Sequence, residues 1–133
     1  MKKILLVLIL PFITVAKQSA ENKSGGNNFT FNRGPREDAR QLIESYRQRA
    51  LGGESMSDLA VRYSEDPGSA PDGGLYKDIA KGMMVKEFEA VAFSLKVGEI
   101  SKVFETQYGL HFIQLVARHG ALVDVRQILV IPK

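Results

Sequence analysis

The chain has 133 residues, 44% of them hydrophobic and 25% charged, and a net charge of +3. Those values exclude a collagen-like or disordered polypeptide, predict a single domain, and argue against an electrostatic nucleic-acid binder. With no Cys there is no disulfide, thiolate zinc site or Cys nucleophile, and two His, His111 and His119, are too few for a His-rich metal site.

Met1-Lys2-Lys3 is a short basic start, and Ile4 to Val15 is apolar apart from Thr14. The run is shorter than the ~20 residues that span a bilayer. A basic start, a short apolar run and then small residues read as a secretory signal over residues 1–16, cut after Ala16 or Ala20. An uncleaved anchor is the alternative. No Cys follows the run, so a lipid-carrying Cys is not expected. The protein is expected outside the cytoplasm, in the periplasm or cell envelope, with no membrane contact beyond this segment. Loss of Lys2 and Lys3 lowers the net charge from +3 to +1. Residues 17–34, rich in Asn, Ser and Gly, read as a flexible tail, with Phe29-Thr30-Phe31 alternating as a short strand would. The folded domain is expected over residues 35–133.

Pro35 opens a helix, and Ala39, Leu42, Ile43, Tyr46 and Ala50 fall on one face of it. Gly52-Gly53 stops it. Ser55 with Asp58 resembles a helix-start cap, and Met56, Leu59, Ala60 and Tyr63 make a second buried stripe. Ser64 to Gly74 holds two Pro and three Gly and reads as a loop. A short helix over Lys86 to Leu95 buries Phe88, Val91, Ala92 and Leu95. Ser101 to Thr106 and Leu110 to Ala117 read as strands. Leu122 to Ile131 is a third, with Val123, Val125, Leu129 and Ile131 on one face. The short link through His119 and Gly120 makes the last two an antiparallel hairpin, so the class is α+β. His119 itself reads as a solvated loop residue.

No Ser-His-Asp order, phosphate-cradling glycine motif or metal spacing is present, so an enzyme of this sequence is expected to work without a cofactor. The informative blocks are Tyr63-Ser64-Glu65-Asp66-Pro67-Gly68-Ser69-Ala70-Pro71-Asp72-Gly73-Gly74, then Gly82-Met83-Met84-Val85-Lys86-Glu87-Phe88-Glu89, then Val97-Gly98-Glu99-Ile100-Ser101, then Thr106-Gln107-Tyr108-Gly109-Leu110-His111-Phe112-Ile113. Their order and spacing resemble the parvulin-type peptidyl-prolyl isomerases, notably the exported bacterial branch, over residues 36–117. The resemblance implies a small antiparallel sheet flanked by helices, as in parvulin and FKBP-like folds, with a shallow apolar cleft for a proline ring. It implies partners that are unfolded or extended proline-containing chains, and a folding-assisting role.

By position, the resemblance gives Met84 and Phe88 as the grip on the proline ring, although Met and Phe are more often plain core. Tyr76 and Tyr108 complete the substrate-binding set, Tyr76 standing where many members have Leu. Asp66 matches a position near the reacting carbonyl, and it also suits a turn before Pro67. His111 matches the family's last-strand histidine, and Thr106 a polar neighbour of it. The family's opening strand, which carries a second histidine, is absent before the first helix. Val123-Asp124-Val125-Arg126-Gln127-Ile128-Leu129-Val130 is similar to that strand, which reads as a circular-permutation-like arrangement with Gln127 in the histidine's place. The strand could instead open a second repeat of a longer chain, or pair with another subunit. Gln cannot become a cation, so a peptide-binding or chaperone module with little turnover is the runner-up. Arg33, Arg36 and Arg40 are the basic residues that could serve a phosphate-directed isomerase, and as a group they read as a solvated face.

Overall fold

The computed structural model describes residues 34–133. The signal segment, the tail, Phe29-Thr30-Phe31 and Arg33 lie outside the described residues. Among those described, no helix is long and apolar enough to cross a membrane.

Helix α1 runs Pro35–Leu51, with Pro at its start, Glu37 and Asp38 in its first turn and Arg49 in its last. That charge order matches the helix dipole. Ala39, Ile43, Tyr46 and Ala50 are buried as the periodicity predicts. Leu42 is not, being 46% exposed. The apolar stripe is therefore narrower than the sequence pattern.

Helix α2, Met56–Tyr63, starts at Ser55, whose hydroxyl accepts the Asp58 N–H at 3.2 Å. This satisfies one of the donors that a helix start leaves unpaired. Met56, Leu59 and Ala60 are buried, and the half-buried Tyr63 ring stacks on Tyr46 with centroids 4.5 Å apart.

The loop after α2 contains a short 3-10 turn, Ala70–Asp72, and then a strand that the sequence pattern does not predict: β1, Leu75–Ile79. Its entry needs glycine. Gly74 has φ +76°, and a Cβ there would collide with the Gln127 carbonyl. Helix α3 follows as Lys86–Ser94, then β2 as Phe104–Thr106, β3 as Gly109–His119 and β4 as Leu122–Val130. Strand β2 is shorter than predicted. Before it, Ser101 ties to Ile113 through both its backbone N–H and its hydroxyl, without a regular ladder.

The sheet is four-stranded and antiparallel in the order β1-β4-β3-β2. The predicted hairpin is present. β3 and β4 pair from Leu110↔Val130 to His119↔Leu122, with an irregularity between Leu115 and Ala117 that turns Val116 to solvent. His119 is therefore the last residue of β3 rather than a free loop residue, and it meets Asp124 Oδ2 at 2.8 Å.

Each face of the sheet carries its own core. One packs Leu110, Phe112, Ile128 and Val130 against α1 and α2. The other packs Ile113, Leu115, Val123 and Val125 against Phe88 and Ala92 of α3. Alternation along β3 puts His111 on the α3 face, the face on which the site is built.

Candidate active site

A cleft of about 420 Å³ opens between the α3 face of the sheet and the loop after α2. Seven of the eight sequence-predicted site residues line it: Asp66, Tyr76, Met84, Phe88, Tyr108, His111 and Gln127. The eighth, Thr106, is not in the lining and meets it through His111 and the Tyr108 N–H.

The floor is a chain of hydrogen bonds. Thr106 Oγ1 is 2.6 Å from His111 Nε2, His111 Nδ1 is 2.9 Å from Gln127 Oε1, and Gln127 Nε2 donates to Asp66 Oδ2 at 2.6 Å. The Asp66 carboxylate fixes the direction of the whole chain. It only accepts, so the Gln127 NH₂ must face it and the Gln127 carbonyl must face His111. His111 therefore carries its proton on Nδ1, and its bare Nε2 accepts from the Thr106 hydroxyl. That hydroxyl in turn accepts the Tyr108 N–H at 3.1 Å. Every donor meets an acceptor, and no buried side-chain polar atom among the described residues lacks a partner.

The charges agree with this polarity. Burial pushes the His111 pKa below its ordinary value, outweighing the pull of Gln127 and of the Asp66 charge, so the ring is neutral at pH 7. Burial alone would raise Asp66. Hydrogen bonds from Ser69, Tyr76, the Gly68 N–H and Gln127 overcome it and hold the carboxyl below its usual range. Tyr76 donates to Asp66 Oδ2 at 2.6 Å. Burial first, then that bond and the Asp66 charge, push its phenol up to about 12.

Aromatic rings set the His111 plane. Phe104 stacks on it at 5.2 Å and 11°, and Phe88 meets it edge-on at 6.1 Å. Phe88 is 2% exposed and belongs to the core under α3 as well as to the cleft wall. Met84 is half-buried just before α3, while Tyr108, 58% exposed, stands on the rim.

Sequence reasoning missed Ser69, Glu89 and Phe104. Ser69 is buried and donates to Asp66 Oδ2 at 2.7 Å. The Asp-Pro-Gly-Ser spacing of a side-chain-stabilised turn was the available signal. Phe104 had none, because its contact with His111 depends on the β2–β3 register. Glu89 replaces a cap. Val85 precedes α3 and has no oxygen to offer, so Glu89 Oε2 reaches back to the N–H groups of Gly82 at 2.5 Å and Met84 at 3.1 Å. Glu89→Ala frees the loop that carries Met84. Losing a cap of this kind costs about 1 kcal/mol, which predicts roughly fivefold weaker peptide binding with α3 still folded. Titration with a proline peptide, read by fluorescence or NMR, checks it.

No Arg or Lys lines the cleft among the described residues. Arg36 instead pairs with Glu105 at 3.3 Å on the surface. The cleft thus joins an apolar hollow to a polar floor holding one anionic and several neutral hydrogen-bonding groups.

Residues 27–117 match the family described as Rotamase: PPIC-type PPIASE domain. The chain is 51% identical over 75 residues to foldase protein PrsA of Geobacillus sp. (strain WCH70), a stretch that is 56% of this chain and 27% of that protein. It is 41% identical over 81 residues to chaperone SurA of Pseudomonas fluorescens (strain Pf0-1), 61% of this chain and 19% of that protein. The chain thus matches 19% to 27% of the length of these curated relatives. Among solved structures, a peptidylprolyl isomerase (PrsA) from Bacillus cereus is similar at 30% identity and TM-score 0.47, covering 71% of this chain and 31% of that one.

Proposed function

Because the chain belongs to the PPIC-type rotamase family, we propose that its cleft accelerates cis–trans rotation about Xaa-Pro peptide bonds and so assists the folding of other polypeptides. The observation that carries this reading is the continuous Thr106–His111–Gln127–Asp66 chain beneath a hollow walled by Met84 and Phe88.

The chemistry fits what the site offers. Rotation makes and breaks no bond. Its barrier, about 18–20 kcal/mol, is amide resonance, which is lost as the C–N bond twists. In the twisted amide the carbonyl is less polar and the proline nitrogen regains a lone pair. A carbonyl held beside an anionic carboxylate is favoured in this less polar form over the planar one, and this is a preference expressed in the transition state. Met84 and Phe88 hold the ring while the carbonyl side swings over the polar floor. Asp66 disfavours a carbonyl with full negative character, and neutral His111 leaves the floor without a second charge to desolvate.

The domain is read as residues 35–133, after an export signal over 1–16 and a tail over 17–34, which places the protein outside the cytoplasm. Its substrates are read as unfolded or extended proline-containing chains. Strand β4 is read as the counterpart of the family's opening strand, supported by its place beside β3 and by the contact of Gln127 with His111.

The full chain is expected to accelerate cis-to-trans conversion of a short Xaa-Pro peptide. NMR exchange spectroscopy, which needs no coupled protease, measures it. A folded sample giving only the uncatalysed rate would overturn the isomerase reading. It would favour the second reading, a peptide-binding module with little turnover, for which the amide of Gln127 at the expected imidazole position is the supporting observation.

A further inference from the structure

Leu42 falls on the core face of α1 by periodicity yet is 46% exposed, and Ile131, just past β4, is 41% exposed. Both line a second hollow, of about 240 Å³, against the start of α1. Ile131 and Glu65 line this hollow and the main cleft alike, so the two are neighbours that share one wall. The shared wall is firmly held: the Glu65 carboxylate accepts the Ile131 N–H at 2.6 Å and the Lys133 ammonium at 2.6 Å. With Glu65 and Lys133 paired, what faces the hollow is apolar surface from Ala39, Leu42 and Ile131, with Asp38 at its edge.

We propose that this hollow is a second subsite for an extended polypeptide whose proline occupies the main cleft, and that it takes a large apolar side chain flanking that proline and disfavours an acidic one. The proposal rests on the reading of the main cleft as a proline site. A bound chain advances about 3.3 Å per residue when extended, so its flanking residues must leave the cleft across a wall. The Ile131–Glu65 wall opens onto the hollow. A volume of about 240 Å³ is below the range of small-molecule pockets and suits a single side chain. Asp38 supplies the discrimination, since an acidic side chain would meet a like charge there.

The test uses the full 133-residue chain and proline peptides in which Leu, Ser or Asp is walked along the positions on either side of the proline. At one flanking position Leu is expected to bind about five- to tenfold better than Ser, and Asp worse than either. Leu42→Asp, an exposed substitution, is expected to bring the Leu-to-Ser ratio to about one. In the unmutated chain, the Leu42 and Ile131 methyl resonances are expected to move with the Leu peptide and not with the Ser peptide. Equal binding of Leu and Ser at every position, or a ratio unchanged by Leu42→Asp, would overturn the proposal. So would contacts from residues 17–33 to the Leu42 methyls in the peptide-free chain, or a dimer that Leu42→Asp dissociates, since either would name another occupant. The binding and methyl readouts stand without turnover. If no peptide is isomerised but the Leu-dependent shifts appear, the subsite is supported and the isomerase reading fails. Turnover without a Leu preference supports the isomerase reading and overturns the subsite.

Discussion

A chain ending at Ala121 is expected not to fold. Strand β4 lies inside the sheet, between β1 and β3, and each neighbour pairs with it directly. Its removal leaves β1 without a partner and exposes the β4-facing edge of β3. It also opens both cores at once, because Ile128 and Val130 belong to the α1–α2 side while Val123 and Val125 belong to the α3 side. Full burial of one such side chain is worth about 1.5–3 kcal/mol. The set therefore amounts to roughly the whole 5–15 kcal/mol by which a small domain is stable. Circular dichroism of the truncated chain should show lost structure and no cooperative melt. A point variant, Val125→Asp, puts a charge into the same core and should act in the same direction with the chain length unchanged. A cooperative transition within a few degrees of the intact protein, in both variants, would mean that β4 is dispensable to the sheet.

The helices were legible because their signals are local. Pro35, the Ser55–Asp58 cap and the 3.6-residue stripes act within a turn or two, and α1 and α2 lie where those signals put them. The β3–β4 hairpin was legible for the same reason, its turn being two residues with Gly120 first at φ +58°. Strand β1 was not. Its sequence, Leu-Tyr-Lys-Asp-Ile, has too few β-formers to stand out. It is held by a partner about fifty positions away: Asp124 Oδ1 accepts the Asp78 N–H at 2.8 Å, where Asp78 takes φ +56° and the register slips. Only the tertiary fold brings that side chain there. Leu42 was misjudged because periodicity gives the face and not how far its packing extends.

The site divides along the same line. The types of seven lining residues were readable in the sequence blocks, but their joint action was not. That action runs through Gln127 Nε2 to Asp66 Oδ2, across residues 61 positions apart in the chain. Phe104 and Glu89 escaped notice because one depends on strand register and the other on a missing cap at Val85.

Gln127→Leu is expected to reduce kcat/KM by about ten- to a hundredfold while the domain stays folded. The substitution leaves the His111 Nδ1–H without its acceptor and Asp66 without one of its donors. An unpaired buried polar group costs about 1–3 kcal/mol, and each 1.36 kcal/mol expressed in the transition state is tenfold in rate. Lost packing alone would lower the melting temperature without altering the histidine, so the deciding readout is the His111 side-chain ¹⁵N spectrum. In the unmutated chain it should show a neutral ring with the proton on Nδ1, unchanged from pH 8 to about 6.5. In Gln127→Leu it should show mixed tautomers.

Gln127→His supplies the contrast. A neutral imidazole can take over both bonds, accepting from His111 and donating to Asp66, so activity at pH 8 is expected to be retained. Once protonated, the new ring only donates, and His111 must then present a bare Nδ1 and donate from Nε2 to Thr106. The His111 tautomer, fixed in the natural chain by an amide that does not titrate, becomes dependent on pH, and the rate profile of the variant should bend near neutrality where the natural one is flat. Stability carries the same signature in the natural chain. His111 has a folded pKa below its unfolded value near 6.5, so its contribution is complete above that pH and erodes as the pH falls below it. Asp66, also depressed, adds a second loss only as the pH falls below about 3.9 and through its folded value. A His111 that is protonated at pH 7, or a Gln127→Leu chain as active as the original, would show that the amide relay has no part in the reaction.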